Sequence, residues 1–269
     1  MFTQVMISIS LGILFGIITG LTPGIHINLI AVTLLTISPI LLKYTDIIPL
    51  SIFIIAMSVT HSFLDSIPSI FLGAPDSSTA LGVLPGHRYL LKGYGLMAVK
   101  LTAVGSFGAL ILSTITYPLL IPVVKYAYPL IQDSIGFILI AVVIFMILRD
   151  KKKLWSSFIF IMSGTLGIIV LTWPNLENPL FPLLSGLFGV STLLYSIKEK
   201  NKIPKQKIQQ RTKLEKKLTL KALLSGQFSG FLTAVLPGVG AATAAVLSLQ
   251  ITRNLGDKGF MMLMGSIST

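Results

Sequence analysis

Residues Gly12 to Asn28 read GILFGIITGLTPGIHIN. Gly12, Gly16, Gly20 and Gly24 recur every fourth residue, so on a helix they share nearly one face. In lipid such a face lets a second helix backbone come close. The run then meets Thr22-Pro23-Gly24. Proline has no N–H and clashes with the preceding turn, and glycine relaxes the backbone, so the helix breaks here. Two polar side chains, His26 and Asn28, follow at once in an otherwise apolar segment. The pattern recurs in Ser225 to Thr243, SGQFSGFLTAVLPGVGAAT. A shift of 214 positions brings Gly12, Gly16, Thr19, Pro23, Gly24 and Ala31 onto Gly226, Gly230, Thr233, Pro237, Gly238 and Ala245. This reads as an internal repeat.

The surroundings are those of a membrane protein. Of 269 residues, 53% are hydrophobic and only 11% charged, with a mean hydropathy of +0.87. Soluble domains carry about 25% charged residues. Apolar runs long enough to cross a hydrocarbon core recur from end to end. Short alternating strands, which a β-barrel would need, are absent from the pattern. The N-terminus has no basic region and no small-residue cleavage site, so it reads as a first membrane segment. With no cysteine, disulfides, thiolate nucleophiles and cysteine-held metals are excluded. The net charge of +12 has a local origin, because ten Lys or Arg lie between Lys198 and Lys221. That clustering fits a cytoplasmic loop near anionic headgroups rather than nucleic-acid binding.

The expected architecture is an all-α, polytopic integral membrane protein of two repeats, each with a Pro-Gly-broken helix or hairpin. The first repeat spans 1–197, a basic cytoplasmic linker spans 198–221, and 222–269 begins an incomplete second repeat. Apolar runs are read at 5–21, 25–42, 47–72, 96–124 (interrupted by Pro118 and Pro122), 131–148, 154–173 and 180–197. Residues 73–95 read as irregular, being punctuated by proline and glycine. The second copy stops before the counterpart of His61 to Asp65. Two equal repeats would make a chain of roughly 400 residues, so a truncated second repeat is expected. The basic stretches Arg149–Lys153 and Lys198–Lys217 should both face the cytoplasm.

Three groups of residues can carry chemistry. The two Pro-Gly breaks would free backbone groups at membrane depth, which protein, water, ion or substrate must satisfy. Each break also aims a helix N-terminus, with its partial positive charge, at whatever lies before it. Paired breaks in two halves point to a transporter's binding site; the plainer reading is a turn between two crossings. Next, His61 and Asp65 lie four apart with Ser58, Ser62 and Ser66 nearby. An intramembrane carboxylate is costly and marks function by default. Asp65 reads as a ligand for Na⁺ or a proton carrier, or else as half of a structural His–Asp pair. Last, Gly73 to Thr79, GAPDSST, is small and polar, and reads as an anion or sodium contact or as an ordinary loop. The His-Glu-x-x-His of a metalloprotease is absent.

Several of these motifs resemble those of the large membrane subunit of tripartite tricarboxylate transporters, the TctA family, also labelled DUF112. The likeness rests on the run into Thr22-Pro23-Gly24 and on its echo Leu236-Pro237-Gly238-Val239-Gly240. It rests also on Gly73 to Leu81 with Pro85-Gly86-His87 and Lys92-Gly93-Tyr94-Gly95. Two departures, Gly24 to Asn28 and Ser58 to Ser62, suggest a divergent branch found largely in archaea. The resemblance implies a cell-membrane permease with an inverted repeat. It would move a small organic anion, a di- or tricarboxylate, by secondary transport coupled to Na⁺ or H⁺. The implied partners are lipid, the carboxylate, a small membrane subunit and an extracytoplasmic binding protein. Neither nucleic acid, nor a cofactor, nor catalysis is implied. The expected substrate contacts are Thr22, Pro23, Gly24, His26, Asn28, Ser77, Ser78, Thr79, Pro237, Gly238 and Gly240. The expected coupling-ion contacts are Ser62, Asp65, Ser66 and Asp76. Competing readings are a membrane-embedded enzyme using His61 and Asp65, and a structural subunit with no site of its own.

Overall fold

The structure is a computed structural model that describes residues 2–22, 25, 27–72, 83–174, 183, 187, 190, 194, 203–208, 214–236, 244–245, 248–249, 252 and 255–269. Among the described residues there is no strand. The helices are α1 (Phe2–Leu21), α2 (Ile27–Leu41), α3 (Ile47–Leu64), α4 (Ser66–Leu72), α5 (Val83–Leu91), α6 (Gly95–Ile131), α7 (Ile135–Arg149), α8 (Lys153–Thr172), α9 (Lys216–Val235) and α10 (Gly256–Ser268). Four stretches are long and apolar enough to cross a membrane: 2–21, 47–72, 95–149 and 153–172.

Two sequence expectations change. Pro118 and Pro122 do not interrupt the helix, because α6 runs unbroken through them and through Pro129. A proline costs a helix one hydrogen bond and a steric clash, and in membranes neighbouring groups offset that loss. At 37 residues, α6 is about 55 Å long, more than one crossing needs. Second, residues 83–91 are helical rather than irregular. Pro85 stands at the third position of α5, inside the first turn, where no intrahelical partner awaits its missing N–H.

The direction of each helix follows from its contacts. A Cβ added at Gly12 would lie 2.7 Å from the Ala56 Cβ and the Phe53 carbonyl, and one at Gly16 would lie 2.6 Å from the Thr60 Cβ. At Gly20 it would meet the His61 carbonyl at 2.8 Å and Leu64 at 3.0 Å. Both partners climb together, so α1 and α3 are parallel. Likewise Gly226 meets Leu263 and Ser266, while Gly230 meets Ile267, so α9 and α10 are parallel. Ser225 pairs with Thr252 and Ser229 with Ser248, so Ser248 and Thr252 meet α9 in reverse order.

Helix α10 passes α3–α4 the other way. Ser62 donates to the Thr269 hydroxyl at 3.4 Å. Ser66 and Gly265 both meet Thr102. Gly86 rests against both Ile70 and Met261. As α3–α4 advances from Ser62 through Ser66 to Ile70, α10 retreats from Thr269 through Gly265 to Met261. The pair α1–α3 therefore points opposite to the pair α9–α10.

The core gathers where α10 crosses α6. A methyl at Gly105 would overlap the Met262 carbonyl, and one at Gly265 the Thr102 carbonyl, so the two backbones touch. Residues Met261 to Ile267 are buried without exception, beside Ile70, Leu90, Ala98, Leu101 and Ala222. By contrast α7 and α8 bury no residue, as lipid-facing helices do. Between them Asp150 accepts hydrogen bonds from the Lys152 N–H (2.8 Å) and the Ser156 hydroxyl. These hold its carboxyl below the usual carboxylate range, the Lys152 N–H first.

Part of the basic linker is anchored to the helices. Gln206 accepts from the Gly95 N–H at 2.8 Å and donates to the Leu90 carbonyl at 3.2 Å. The Lys207 N–H donates to the Gly93 carbonyl at 2.8 Å, and its ammonium stands over the Tyr94 ring at 4.7 Å. Gly93 has φ +79°, a backbone shape that favours glycine. Arg88 pairs with Asp257 at 2.8 Å on the surface, a bond worth at most about 1 kcal/mol. Arg88, Gly93, Lys207 and Asp257 thus share one end of the bundle, and residues 43–46 lie at the other.

Candidate functional site

The polar residues on α3 come first. Pro68 stands in the first turn of α4 and has no N–H to offer the Leu64 carbonyl. The helix duly turns at Asp65 and resumes at Ser66. Asp65 lies about 27 Å along from Ile47 and about 10 Å from Leu72, inside the apolar span. It is 6% exposed, and Ser66 is equally buried.

Asp65 borders a small cavity. Its wall is made by Ser62, Asp65, Ser66, Ser69 and Ile70 from α3–α4, by Thr102 from α6, and by Met261, Met264, Gly265 and Ser268 from α10. About 10 Å³ is open to the centre of a water molecule, roughly what one water requires. Thr102 Oγ1 lies 3.1 Å from Ser66 Oγ. Ser69 is 2% and Thr102 5% exposed. The expected ion residues Ser62, Asp65 and Ser66 are therefore together. Ser69, Thr102 and Ser268 join them, and sequence reading had not marked these for the site. Ser69 had a signal, since it continues the helical spacing of Ser62, Asp65 and Ser66. Thr102 and Ser268 had none, because they arrive from distant helices.

His61 is buried, and its Nδ1 meets Thr19 Oγ1 of α1 at 3.1 Å. It does not line the cavity. Among the described residues no group of three His, Cys, Asp or Glu could hold a metal.

The first break begins beside this site. In the parallel α1–α3 register Gly20 faces His61 and Leu64, so Thr22 comes level with Asp65. Thr22 is exposed and donates to the Ile18 carbonyl at 2.6 Å. Asn28 lies in the first turn of α2. Pro23, Gly24, His26, Asp76, Ser77, Ser78, Thr79, Pro237, Gly238 and Gly240 lie outside the described residues, as does the side chain of Asn28.

A second cavity, of about 370 Å³, opens beneath the end of α9. Ser113, Gln227, Thr233, Ser266, Ser268 and Thr269 give it polar groups, and Gly230, Phe231 and Ile267 give it apolar ones. Gln227 and Ser113 hydrogen-bond across it at 3.0 Å. Ser268 borders both cavities, and Ser62 at the edge of the small one donates to Thr269 in the large one.

The profile of the Tripartite tricarboxylate transporter TctA family matches residues 6–267. The chain belongs to this family. It is an integral membrane protein, as the apolar spans require. It is also similar to the uncharacterized protein MJ1079 of Methanocaldococcus jannaschii, an archaeon, at 33% identity over 265 residues. The alignment covers 96% of this chain and 64% of that relative, so the chain spans less than two thirds of its length. No solved structure matches. The TctA family is one of transporter components.

Proposed function

We propose that this chain forms the core of a permease that carries a small organic anion, a di- or tricarboxylate, across the cell membrane together with a cation. The observation that carries this reading is the buried carboxylate of Asp65 at a helix break, on a small cavity that Ser62, Ser66, Ser69, Thr102 and Ser268 also line and that meets a larger mixed cavity at Ser268. A membrane protein holds a charged side chain in its apolar span chiefly to bind or relay an ion. The 370 Å³ cavity falls in the size range of small-molecule sites, and it lies along the helix that leads into the second Pro-Gly motif.

Helix directions support an inverted repeat. The parallel pairs α1–α3 and α9–α10 point opposite ways, and each is built on glycines 214 positions apart. In that arrangement Thr22-Pro23-Gly24 and Leu236-Pro237-Gly238 would enter from opposite faces, and helix N-termini would be directed at substrate carboxylates. His26 and Asn28 would add side-chain contacts on one side only, because Gly240 and Ala242 occupy the matching places. Ser77, Ser78, Thr79 and Asp76 would complete the polar wall. The end bearing Arg88, Lys207 and Asp257 would be cytoplasmic. A small membrane subunit and an extracytoplasmic binding protein would supply substrate.

Reconstitution in liposomes tests the reading. Labelled di- or tricarboxylate should accumulate when a Na⁺ or proton gradient is imposed, and collapse of the gradient should release it. Uptake that never exceeds that of protein-free liposomes, for every carboxylate and either gradient, would sink the proposal.

A further inference from the structure

We infer that α5 is a hinged lid over one end of the α4–α10 contact, held shut by two surface latches, one to α10 and one to the linker. The inference rests on the transport reading only for what the lid admits. The opening of the lid has its own measurement.

The first point is where α5 sits. From Ser62 to Ile70 on α3–α4, and from Thr269 to Met261 on α10, the last residues reached are Ile70 and Met261, and both line the small cavity. Behind them comes Gly86 of α5. A Cβ there would lie 2.9 Å from Ile70 Cγ1 and 3.5 Å from Met261 Cε. Among the described residues none of α5 lines the cavity itself, so Ile70 and Met261 stand between the two. Helix α5 thus covers the place where α4, in the first half of the chain, meets α10, in the second. Pro85, Gly86 and Leu90 make its buried face, while Arg88 and Leu91 are exposed.

The second point is how little holds it. Helix α5 has nine residues. It ends in a Schellman turn, in which the Tyr94 N–H donates to the Tyr89 carbonyl at 2.7 Å and the Gly93 N–H to the Leu90 carbonyl at 2.9 Å. Helix α6 begins directly after, at Gly95, so the turn at Gly93 is the pivot. The first latch is Arg88, which reaches Asp257 in the first turn of α10 at 2.8 Å, with side chains 60% and 45% exposed. The second is Gln206, which spans the pivot from the Leu90 carbonyl to the Gly95 N–H. An exposed ion pair is weak and screened by salt, and the hydrogen bonds of Gln206 are neutral ones. Elements held by a few exposed bonds are those that open locally.

The third point is what the latches join. Arg88 belongs to the first half, Asp257 to the second and Gln206 to the linker between them. A shift of one half against the other strains both latches at once. In a carrier of two repeats, that would tie movement of the halves to opening at this end.

The test is thiol labelling of the purified chain in detergent. Met261→Cys puts a reporter behind α5 at a position only 1% exposed. The cavity on its other side admits about one water, so a charged maleimide must come past α5. Raising KCl from about 0.05 M to about 1 M should speed labelling severalfold by screening the ion pair. Arg88→Asp should speed it by about tenfold, the scale of a lost pair plus a new repulsion. Adding Asp257→Arg to Arg88→Asp should bring the rate back. Gln206→Ala should speed it by about threefold. Met57→Cys, fully buried between α1 and α3, should stay unlabelled throughout, because lid opening does not reach it and unfolding does. If Met261→Cys does not fold, Ile70→Cys reads the other wall. A rate that ignores Arg88→Asp, a charge swap that fails to restore it, or Met57→Cys labelling in step with Met261→Cys would overturn the lid. Uptake of a carboxylate with labelling indifferent to both latches would sink the lid and leave the transport reading. Latch-dependent labelling without uptake of any anion would do the reverse.

Discussion

In the first helix pair, Gly12 and Gly16 of α1 admit Phe53, Ala56, Met57 and Thr60 of α3. In the second, Gly226 and Gly230 of α9 admit Leu263, Ser266 and Ile267 of α10. The glycines correspond at a shift of 214 and their partners at a shift of 210, so the second copy is four residues shorter between them. The pairs part company one turn further on. At Gly16 an added Cβ would lie 2.6 Å from the Thr60 Cβ, whereas at Gly230 the nearest atom is the Ile267 carbonyl at 3.3 Å. Thr19 closes the first pair by meeting His61. Its counterpart Thr233 donates to the Gly230 carbonyl at 2.7 Å and borders the large cavity. One sequence motif thus makes a closed seam in the first pair and the roof of a cavity in the second. The surroundings are reversed as well. Helix α3 buries only Pro49, Met57 and His61, while α10 is buried over seven consecutive residues.

The comparison breaks first on orientation. Tyr44, 84% exposed, sits in the turn before α3, and Lys258 in the first turn of α10. If the pairs are inverted, single cysteines at these two positions face opposite sides of the membrane. The chain has no cysteine of its own, so an impermeant thiol reagent applied to intact cells reports each site cleanly. Tyr44→Cys should react from outside and Lys258→Cys only after permeabilisation. Labelling of both from one side would end the inverted arrangement.

The next effect concerns closeness. Gly16→Ala pushes a methyl into Thr60 and the Met57 carbonyl and should cost about 1–3 kcal/mol, the usual range for overpacking. Gly230→Ala meets only a contact that yields by a few tenths of an ångström, and should cost under about 1 kcal/mol. Unfolding of the two variants in detergent decides this. Equal losses would mean that the second seam is as tight as the first.

The smallest effect separates the two threonines. Thr19→Val removes the hydroxyl that meets His61 in a buried setting, at a cost of about 1–3 kcal/mol. Thr233→Val removes only a bond back to its own helix beside open space, and should stay within about 0.5 kcal/mol. The same unfolding assay reads both. A Thr233→Val loss as large as that of Thr19→Val would show the cavity to be packed shut.

The sequence by itself determined the membrane class, since no soluble chain of this length can hide so much apolar surface. It placed most of the crossings, because helix length in lipid is set by bilayer thickness. It also marked the glycine faces, the two Pro-Gly motifs and Asp65, each being a local departure from what lipid tolerates. Only the tertiary structure decided which polar groups meet. Thr102 and Ser268 stand at ordinary positions of apolar helices, and nothing within a few residues distinguishes them from Thr114 or Ser113. They reach the cavity beside Asp65 because α6 and α10 touch backbone to backbone at Gly105 and Gly265, and because α10 runs against α3. Those are choices of packing and direction. A one-dimensional pattern of apolar residues, which looks the same for a helix pointing up or down, does not contain them.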